Sequence, residues 1–269
     1  MNADHSFYIG NTHNVCEDYA LSGVVENGAF AIVCDGCSSS PEVDFGARAL
    51  ALSAKRTLAI GGTEMISDLF GKITIDNLRH ITDHFPLHPH SLDATLLVTW
   101  IKNKEFTVNM YGDGVFFHQT TKSIRIIHVE FESNTPAYLS YYLDKLRRKE
   151  YDDTVVGDKK ITDITIFRED GGEPRNMIEV EDYVKAFEPV TFKGLVEDGD
   201  TVGVCSDGIN SFKRSDGSDI NWQNQIREFI DFKSTAGVFV QRRLGFLKRQ
   251  WTKNLTTHYD DISLATIII

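Results

Sequence analysis

Four acidic positions carry the most chemical information in the chain: Glu17-Asp18, Asp35-Gly36, Asp207-Gly208 and Asp260-Asp261. Each sits at the end of a segment that reads as a strand: before residues 18–26, after 29–34, after Thr201 to Cys205, and before Ile262 to Ile269. Strand ends in a layered sheet protein can converge on one edge cleft, and several carboxylates gathered there cannot all stay ionised without a cation. Donors that are all oxygen suit a hard ion such as Mg or Mn rather than zinc or copper. Any single Asp-Gly is also ordinary turn chemistry. It is the recurrence at strand ends that points to a metal centre.

Other clusters compete for a functional reading. Cys34 and Cys37 form a C-x-x-C, but no second one accompanies it, and the intervening Asp35-Gly36 is an acidic turn that disfavours a thiolate. His80 and His84 are four apart in a helical stretch, with His88 and His90 beyond, a spacing able to bind a divalent ion. Pro86 and Pro89 interrupt it, so exposed histidines are the expectation. The basic run Lys145, Arg147, Arg148, Lys149 reads as a solvated helix face, with contact to a phosphoprotein as the alternative.

The elements that must position the acids follow from hydrophobic periodicity. Residues 18–26 and 29–34 around Asn27-Gly28 form a hairpin. With Asn27-Gly28 as its loop, Glu26 pairs with Ala29, Ala20 with Asp35 and Asp18 with Cys37, which makes Asp18 and Asp35 diagonal neighbours at roughly 7 Å between β-carbons. Residues 43–60 form a helix packed closely on a sheet, with Phe45, Ala49, Leu52 and Ala59 on one stripe, and 63–85 a second helix that stops at Pro86. Residues 94–101 and 106–111 form another hairpin, which 115–118 and 123–127 continue as a meander. Between about 130 and 190 the pattern weakens, and an irregular insertion or flap is expected. Helical periodicity returns across 221–232 and 235–250, ahead of the last strand, 262–269. Strands clustered at both ends with helices interspersed make this an α+β chain, layered around antiparallel sheets. One domain over 1–269 that carries the insertion fits the length.

Composition excludes several classes. Of 269 residues, 28 are Lys or Arg and 39 Asp or Glu, a net charge of −11 with His neutral, which argues against a nucleic-acid partner. With 41% hydrophobic and 25% charged residues the chain should fold by itself, and four cysteines do not make a disulfide framework. Met1 to Gly10 holds no basic region followed by an apolar stretch, and no segment approaches the ~20 apolar residues of a membrane span. The expectation is a soluble, cytoplasmic, monomeric protein with no membrane partner.

The ordered motifs resemble the metal-dependent protein phosphatase family of the protein phosphatase 2C type, in its bacterial form. The resemblance lies in Glu17-Asp18 before a strand, Ala31 to Gly36 (AIVCDG), the helix from Phe45 to Ala54, Asp93-Ala94-Thr95, Tyr111-Gly112-Asp113, Ser206-Asp207-Gly208 and Asp260-Asp261-Ile262-Ser263. It implies a central β-sandwich of two antiparallel sheets flanked by helices, in α-β-β-α layers, with two Mn or Mg ions at one sandwich edge. On that carry-over Asp35 bridges both ions, Asp18 holds one, Asp207 and Asp260 the other, Gly36 offers its backbone carbonyl, and Glu17 acts through water. Asp113 is the candidate ligand of a third ion. The nucleophile is then a metal-bridging water or hydroxide attacking the phosphoryl group in line, without a phosphoenzyme. The implied activity is that of a serine/threonine phosphoprotein phosphatase acting opposite a cognate kinase.

Three positions depart from the family pattern. His13 stands where many members have an Arg that pairs with substrate phosphate; protonated, it can offer the phosphate one charge-assisted bond without the fork of Arg, and a solvated loop His is the alternative. Cys37 stands where many eukaryotic members have a His, a candidate general acid. Ser211 replaces an Asp that helps with the third metal. These departures motivate a second reading, a phosphatase-fold sensor or scaffold with weak or no catalysis. A third reading, another two-metal phosphoester hydrolase, is disfavoured by the net charge.

Overall fold

The computed structural model describes every residue except 27, 62–66, 86, 157, 169–171 and 183–187. In chain order its elements are β1 (Asn2–Tyr8), β2 (Tyr19–Val25), β3 (Gly28–Cys34), α1 (Val43–Gly61), α2 (Ser67–Thr82), β4 (Leu96–Lys102), β5 (Glu105–Tyr111), β6 (Gly114–Gln119) and β7 (Ser123–Phe131). There follow α3 (Lys145–Thr154), β8 (Lys159–Arg168), β9 (Arg175–Asp182), β10 (Val190–Leu195), β11 (Thr201–Cys205), β12 (Phe212–Lys213), α4 (Trp222–Ile230), α5 (Phe239–Lys253), β13 (Thr257–His258) and β14 (Ile262–Ile268). Short 3₁₀ turns occupy Pro89–Leu92, Leu139–Leu143 and Asp207–Ser211.

Two large antiparallel sheets face each other. One runs β10-β5-β4-β3-β2, the other β1-β14-β11-β6-β7-β8-β9, and β12-β13 makes a small third pairing. Ala31, Val33, Leu97, Val108, Phe116, Val204 and Ala265 fill the space between them. On the outer side of the five-stranded sheet, α1 and α2 bury Leu50, Ala54, Phe70 and Leu78 against Ile32, Val98 and Trp100. On the outer side of the seven-stranded sheet, α4 and α5 bury Phe229, Val240, Leu244 and Trp251 with Phe212 and Leu264. Strands β3 and β14 are therefore covered on both faces, which is why GAFAIVC and ISLATII read as nearly continuous small and apolar runs rather than alternating ones.

The expected α-β-β-α sandwich is present, with local differences. The first hairpin pairs Val25 with Gly28 and Tyr19 with Cys34, so its register is two residues off the expected one. Gly28 is a strand residue because it also pairs with Lys102 of β4. Its expected partner in the loop, Asn27, lies outside the described residues. The α1 stripe also differs: Leu52 is 49% exposed and Ala59 is exposed, whereas Ala47, Leu50, Ala51 and Ala54 are buried. The small alanines let the helix approach the sheet, and this outweighs the larger side chains of the expected stripe. Helix α2 begins at Ser67, and the expected stretch from 63 to 66 and the stop at Pro86 lie outside the described residues.

The meander does not continue from β5 into β6. The chain crosses there from one sheet to the other through Gly112-Asp113-Gly114, where Gly112 (φ 107°) and Gly114 (φ 135°) take backbone angles that side chains disfavour. The weakly patterned stretch from 130 to 190 holds α3 and the long strands β8 and β9. Every residue of β9 is exposed, so no buried face imposes a pattern on it. Strand β1 was hidden for a different reason: its buried positions are Asp4 and Ser6, and the Asp4 carboxylate caps α5 by accepting from Val240 N (2.6 Å) and Gln241 N (3.3 Å).

Candidate active site

The strand ends bring the predicted acids together at one edge of the sandwich. Asp18 directly precedes β2 and Asp35 directly follows β3, so the observed register sets the two opposite each other across the ladder instead of diagonally. Asp207 opens the 3₁₀ turn after β11, Asp260 precedes β14, and Asp113 sits in the crossing between the sheets. The charges of Asp18, Asp207 and Asp260 all act on Asp35, and those of Asp207 and Asp260 act on Asp113.

Neutral side chains and backbone fix these carboxylates. Thr95 holds Asp35 from both sides: its Oγ1 accepts from Asp35 N (3.1 Å) and its own N–H donates to Asp35 O (2.8 Å). Gly36 is bridged to Ala94. Ser206 Oγ donates to Asp18 Oδ2 (2.7 Å) and accepts from Ser263 N (2.9 Å). A side chain at Gly208 would put its Cβ 1.7 Å from Asp261 O, so only glycine lets the Asp207 turn lie against the Asp260-Asp261 backbone. Ser211 staples the same two segments, donating to Gly208 O (2.7 Å) and accepting from Tyr259 N (3.2 Å) and Asp260 N (3.1 Å). A hydroxyl thus fixes the backbone that carries Asp260.

Asp261, 1% exposed, anchors the loop that carries the first acids. It accepts from Gly10 N and Glu17 N (both 2.5 Å). His13 lies inside this acidic group: its Nδ1 is 3.1 Å from Asp261 Oδ2 and 3.8 Å from Glu17 Oε2, and its Nε2 is 3.6 Å from Asp260 Oδ1. Burial disfavours the imidazolium, but Asp261, Glu17 and Asp260 outweigh it and push the His13 pKa up.

Electrostatically the group is short of positive charge. Burial, opposed by the bond from Ser206, pushes Asp18 up to about 7. Desolvation and then the charges of Asp18, Asp207 and Asp260 push Asp35 well above the usual carboxylate range. Asp113 is pushed up to about 8 by desolvation and Asp207. At 4 Å and an effective dielectric of 20, two unit charges repel by about 4 kcal/mol, more than the roughly 1.5–3 kcal/mol from one hydrogen bond to a charged group. Asp18 Oδ1 and Glu17 Oε2 are buried without a hydrogen-bond partner. Orphaned carboxylate oxygens that repel one another are the donor chemistry of Mg or Mn, so the residues fit such ions. Among the described residues no three His, Cys, Asp or Glu side chains are gathered closely enough to ligate one ion.

Further residues were not legible beforehand. Tyr138, from the segment between β7 and α3, lies near Cys37, and the charges of Cys37, Asp113 and Asp35 reach it. His128, 6% exposed, accepts from Asn210 Nδ2 through Nε2 (3.3 Å), and the Asp207 charge acts on it. Burial pushes its pKa down. Tyr138 lies in the weakly patterned stretch and offers no sequence signal, and His128 reads only as one strand position among apolar neighbours.

The competing clusters lie elsewhere or have other jobs. Cys34 is fully buried in the core under α1, and Cys37 Sγ is 3.2 Å from Ser39 Oγ. His80, His84, His88 and His90 are exposed, and His84 Nδ1 is spent on His80 O (2.8 Å). Of the basic run, Lys145, Arg148 and Lys149 are exposed. Arg147, 13% exposed, is instead ion-paired to buried Asp93 at 2.7 Å.

Comparison with known proteins concerns the fold and the family. Solved structures similar to the chain include the serine/threonine phosphatase of S. agalactiae (12% identity, 99% of this chain and 98% of that one, TM-score 0.57). Serine/threonine phosphatase Stp1 from Staphylococcus aureus is similar over 100% of this chain and 95% of that one (12% identity, TM-score 0.57). The catalytic domain of the phosphatase PstP, solved in complex with two manganese ions, covers 98% and 97% (11% identity, TM-score 0.52). These likenesses concern the fold. No curated protein matches the chain. The family model for protein phosphatase 2C matches residues 11–247, a span that takes in Asp18, Asp35, Asp113 and Asp207, and the chain belongs to that family.

Proposed function

We propose that the protein is a Mn- or Mg-dependent serine/threonine phosphoprotein phosphatase that uses water as its nucleophile. The observation that carries this reading is the convergence of Asp18, Asp35, Asp113, Asp207 and Asp260 on one sandwich edge, where burial and then the neighbouring charges push Asp35 and Asp113 up. Asp35 stands at the centre of the set, since Asp18, Asp207 and Asp260 all act on it. When bound, two such ions lower the pKa of water and spread the charge on phosphoryl oxygens.

The chain's own residues fix the backbone that carries the acids. Thr95 locks the Asp35 backbone, Ser206 orients Asp18, Ser211 orients Asp260, and Asp261 fixes the loop bearing Glu17 and His13. The hydroxyls of Ser206 and Ser211 are committed to bonds within the chain. A water attacking in line, with no phosphoenzyme, is therefore the reaction this arrangement favours. His13, with both ring nitrogens facing carboxylates, balances charge within the acidic group rather than forming an Arg-like fork for phosphate.

The test is phosphate release from a phosphothreonine peptide, titrated with Mn after chelation, with Asp207→Asn as blank. Saturable Mn-dependent turnover, absent in the blank, is the expected result. Calorimetric Mn binding without turnover would overturn the enzyme in favour of a sensor or scaffold.

A further inference from the structure

We propose that Tyr138 is a further catalytic residue, its phenol donating a hydrogen bond to the ester oxygen of the phosphorylated side chain as the phosphorus–oxygen bond breaks. This rests on the phosphatase reading above. What brings Tyr138 to the acidic edge is Asp93, 3% exposed. Its backbone carbonyl accepts from Cys37 N (2.9 Å), its Oδ1 from Ser140 Oγ (2.6 Å), and its Oδ2 from Arg147 Nη2 (2.7 Å) and Ser40 Oγ (3.4 Å). One buried carboxylate thus ties the loop after Asp35 to the 3₁₀ turn that begins beyond Tyr138 and to α3 behind it. Arg147 is held further by Pro89 O (3.2 Å) and by the Tyr141 ring 4.8 Å below its guanidinium. The Tyr141 ring packs edge-on against Tyr138, 5.7 Å between centroids. Tyr138 is therefore fixed beside Cys37.

The distribution of donors points to its role. Carboxylates only accept, Ser206 and Ser211 are committed, and the His13 nitrogens face Asp261 and Asp260. Beside the loop after Asp35, the Tyr138 hydroxyl and the Cys37 thiol are two candidate donors, and a thiol is the weaker one. A phenol keeps its proton at neutral pH and so is available as a donor. In-line displacement sets the leaving oxygen on the far side of phosphorus from the attacking water. With the water on the side of the acids, the proposed pose turns that oxygen toward Tyr138. The water oxygen bonds to phosphorus and releases a proton to solvent. The ester bond breaks with its electron pair on the departing oxygen, which Tyr138 stabilises until solvent protonates it to the alcohol.

Tyr138→Phe keeps the ring and removes the donor. The expected result is a turnover number on phosphothreonine peptide about 10- to 100-fold lower, the size of one hydrogen bond to a charged oxygen. Turnover of p-nitrophenyl phosphate, whose leaving group needs no such help, stays at the wild-type level, and Mn affinity by calorimetry is unchanged. Equal loss on both substrates, loss of Mn binding, or an unchanged peptide rate in an otherwise active protein overturns the role of Tyr138 alone. A wild-type chain inactive on both substrates overturns the phosphatase reading together with it.

Discussion

Two sets of buried carboxylates lie on either side of residues 35–40, and they are solved in opposite ways. Asp93 draws Arg147, Ser140 and Ser40 from separate segments. Asp18, just as buried, has Ser206 on one oxygen, no partner on the other, and Asp35 across the ladder. Burial is the same in both places, so burial does not mark function. What differs is the supply of positive charge: the flap side carries its own cation, and the cleft must take one from outside. The first set holds the architecture, and the second holds chemistry in reserve.

This contrast can be broken or sharpened experimentally. The largest expected effect is on turnover: Asp35→Asn should reduce phosphate release to background while the melting temperature of the metal-free protein stays equal or rises, because a repelling carboxylate is removed from a group that lacks a cation. A lowered melting temperature by circular dichroism would move Asp35 into the structural class with Asp93. Next in size, Arg147→Met should cost about 3 kcal/mol in urea unfolding, the range for stranding one half of a buried ion pair. The double variant with Asp93→Asn should recover part of that loss, since no uncompensated charge then remains. If Arg147→Met unfolds like the wild type, the clamp contributes nothing.

The smallest effect is a pH dependence. Asp18 and Asp113 titrate near 7 and 8 in the folded chain, against 3.8 for the unperturbed group. Between these limits the folded state holds protons that the unfolded chain has released, so stability falls as pH rises from about 4 to about 8, and the raised Asp35 acts in the same direction. The metal-free protein should therefore melt a few degrees higher at pH 5.5 than at pH 8, and saturating Mn should flatten the slope. A metal-free melting temperature that rises with pH would contradict the raised carboxylates.

Much of the site was legible because its residues are tied to strand ends. Glu17-Asp18, Asp35-Gly36, Asp207-Gly208 and Asp260-Asp261 each follow from an apolar run with a turn beside it, and covalent sequence alone sets that adjacency. The partners that decide how each acid behaves were not legible. Ser206 reaches Asp18 across 188 residues and Asp261 reaches Gly10 across 251, and no periodicity encodes such contacts. The hairpin register moved by two residues because Gly28 is shared with β4, a constraint external to the hairpin itself.

By itself, then, the sequence determined the order of strands and helices, the layered antiparallel class and the acids at the strand ends, since local periodicity and turn chemistry act over a few residues. Only the tertiary structure decided that β5 and β6 belong to different sheets, that Arg147 neutralises Asp93 instead of facing solvent, and that Tyr138 stands beside Cys37. Those outcomes depend on which distant donors reach a buried carboxylate, and the desolvation that makes such pairing decisive exists only once the layers have closed.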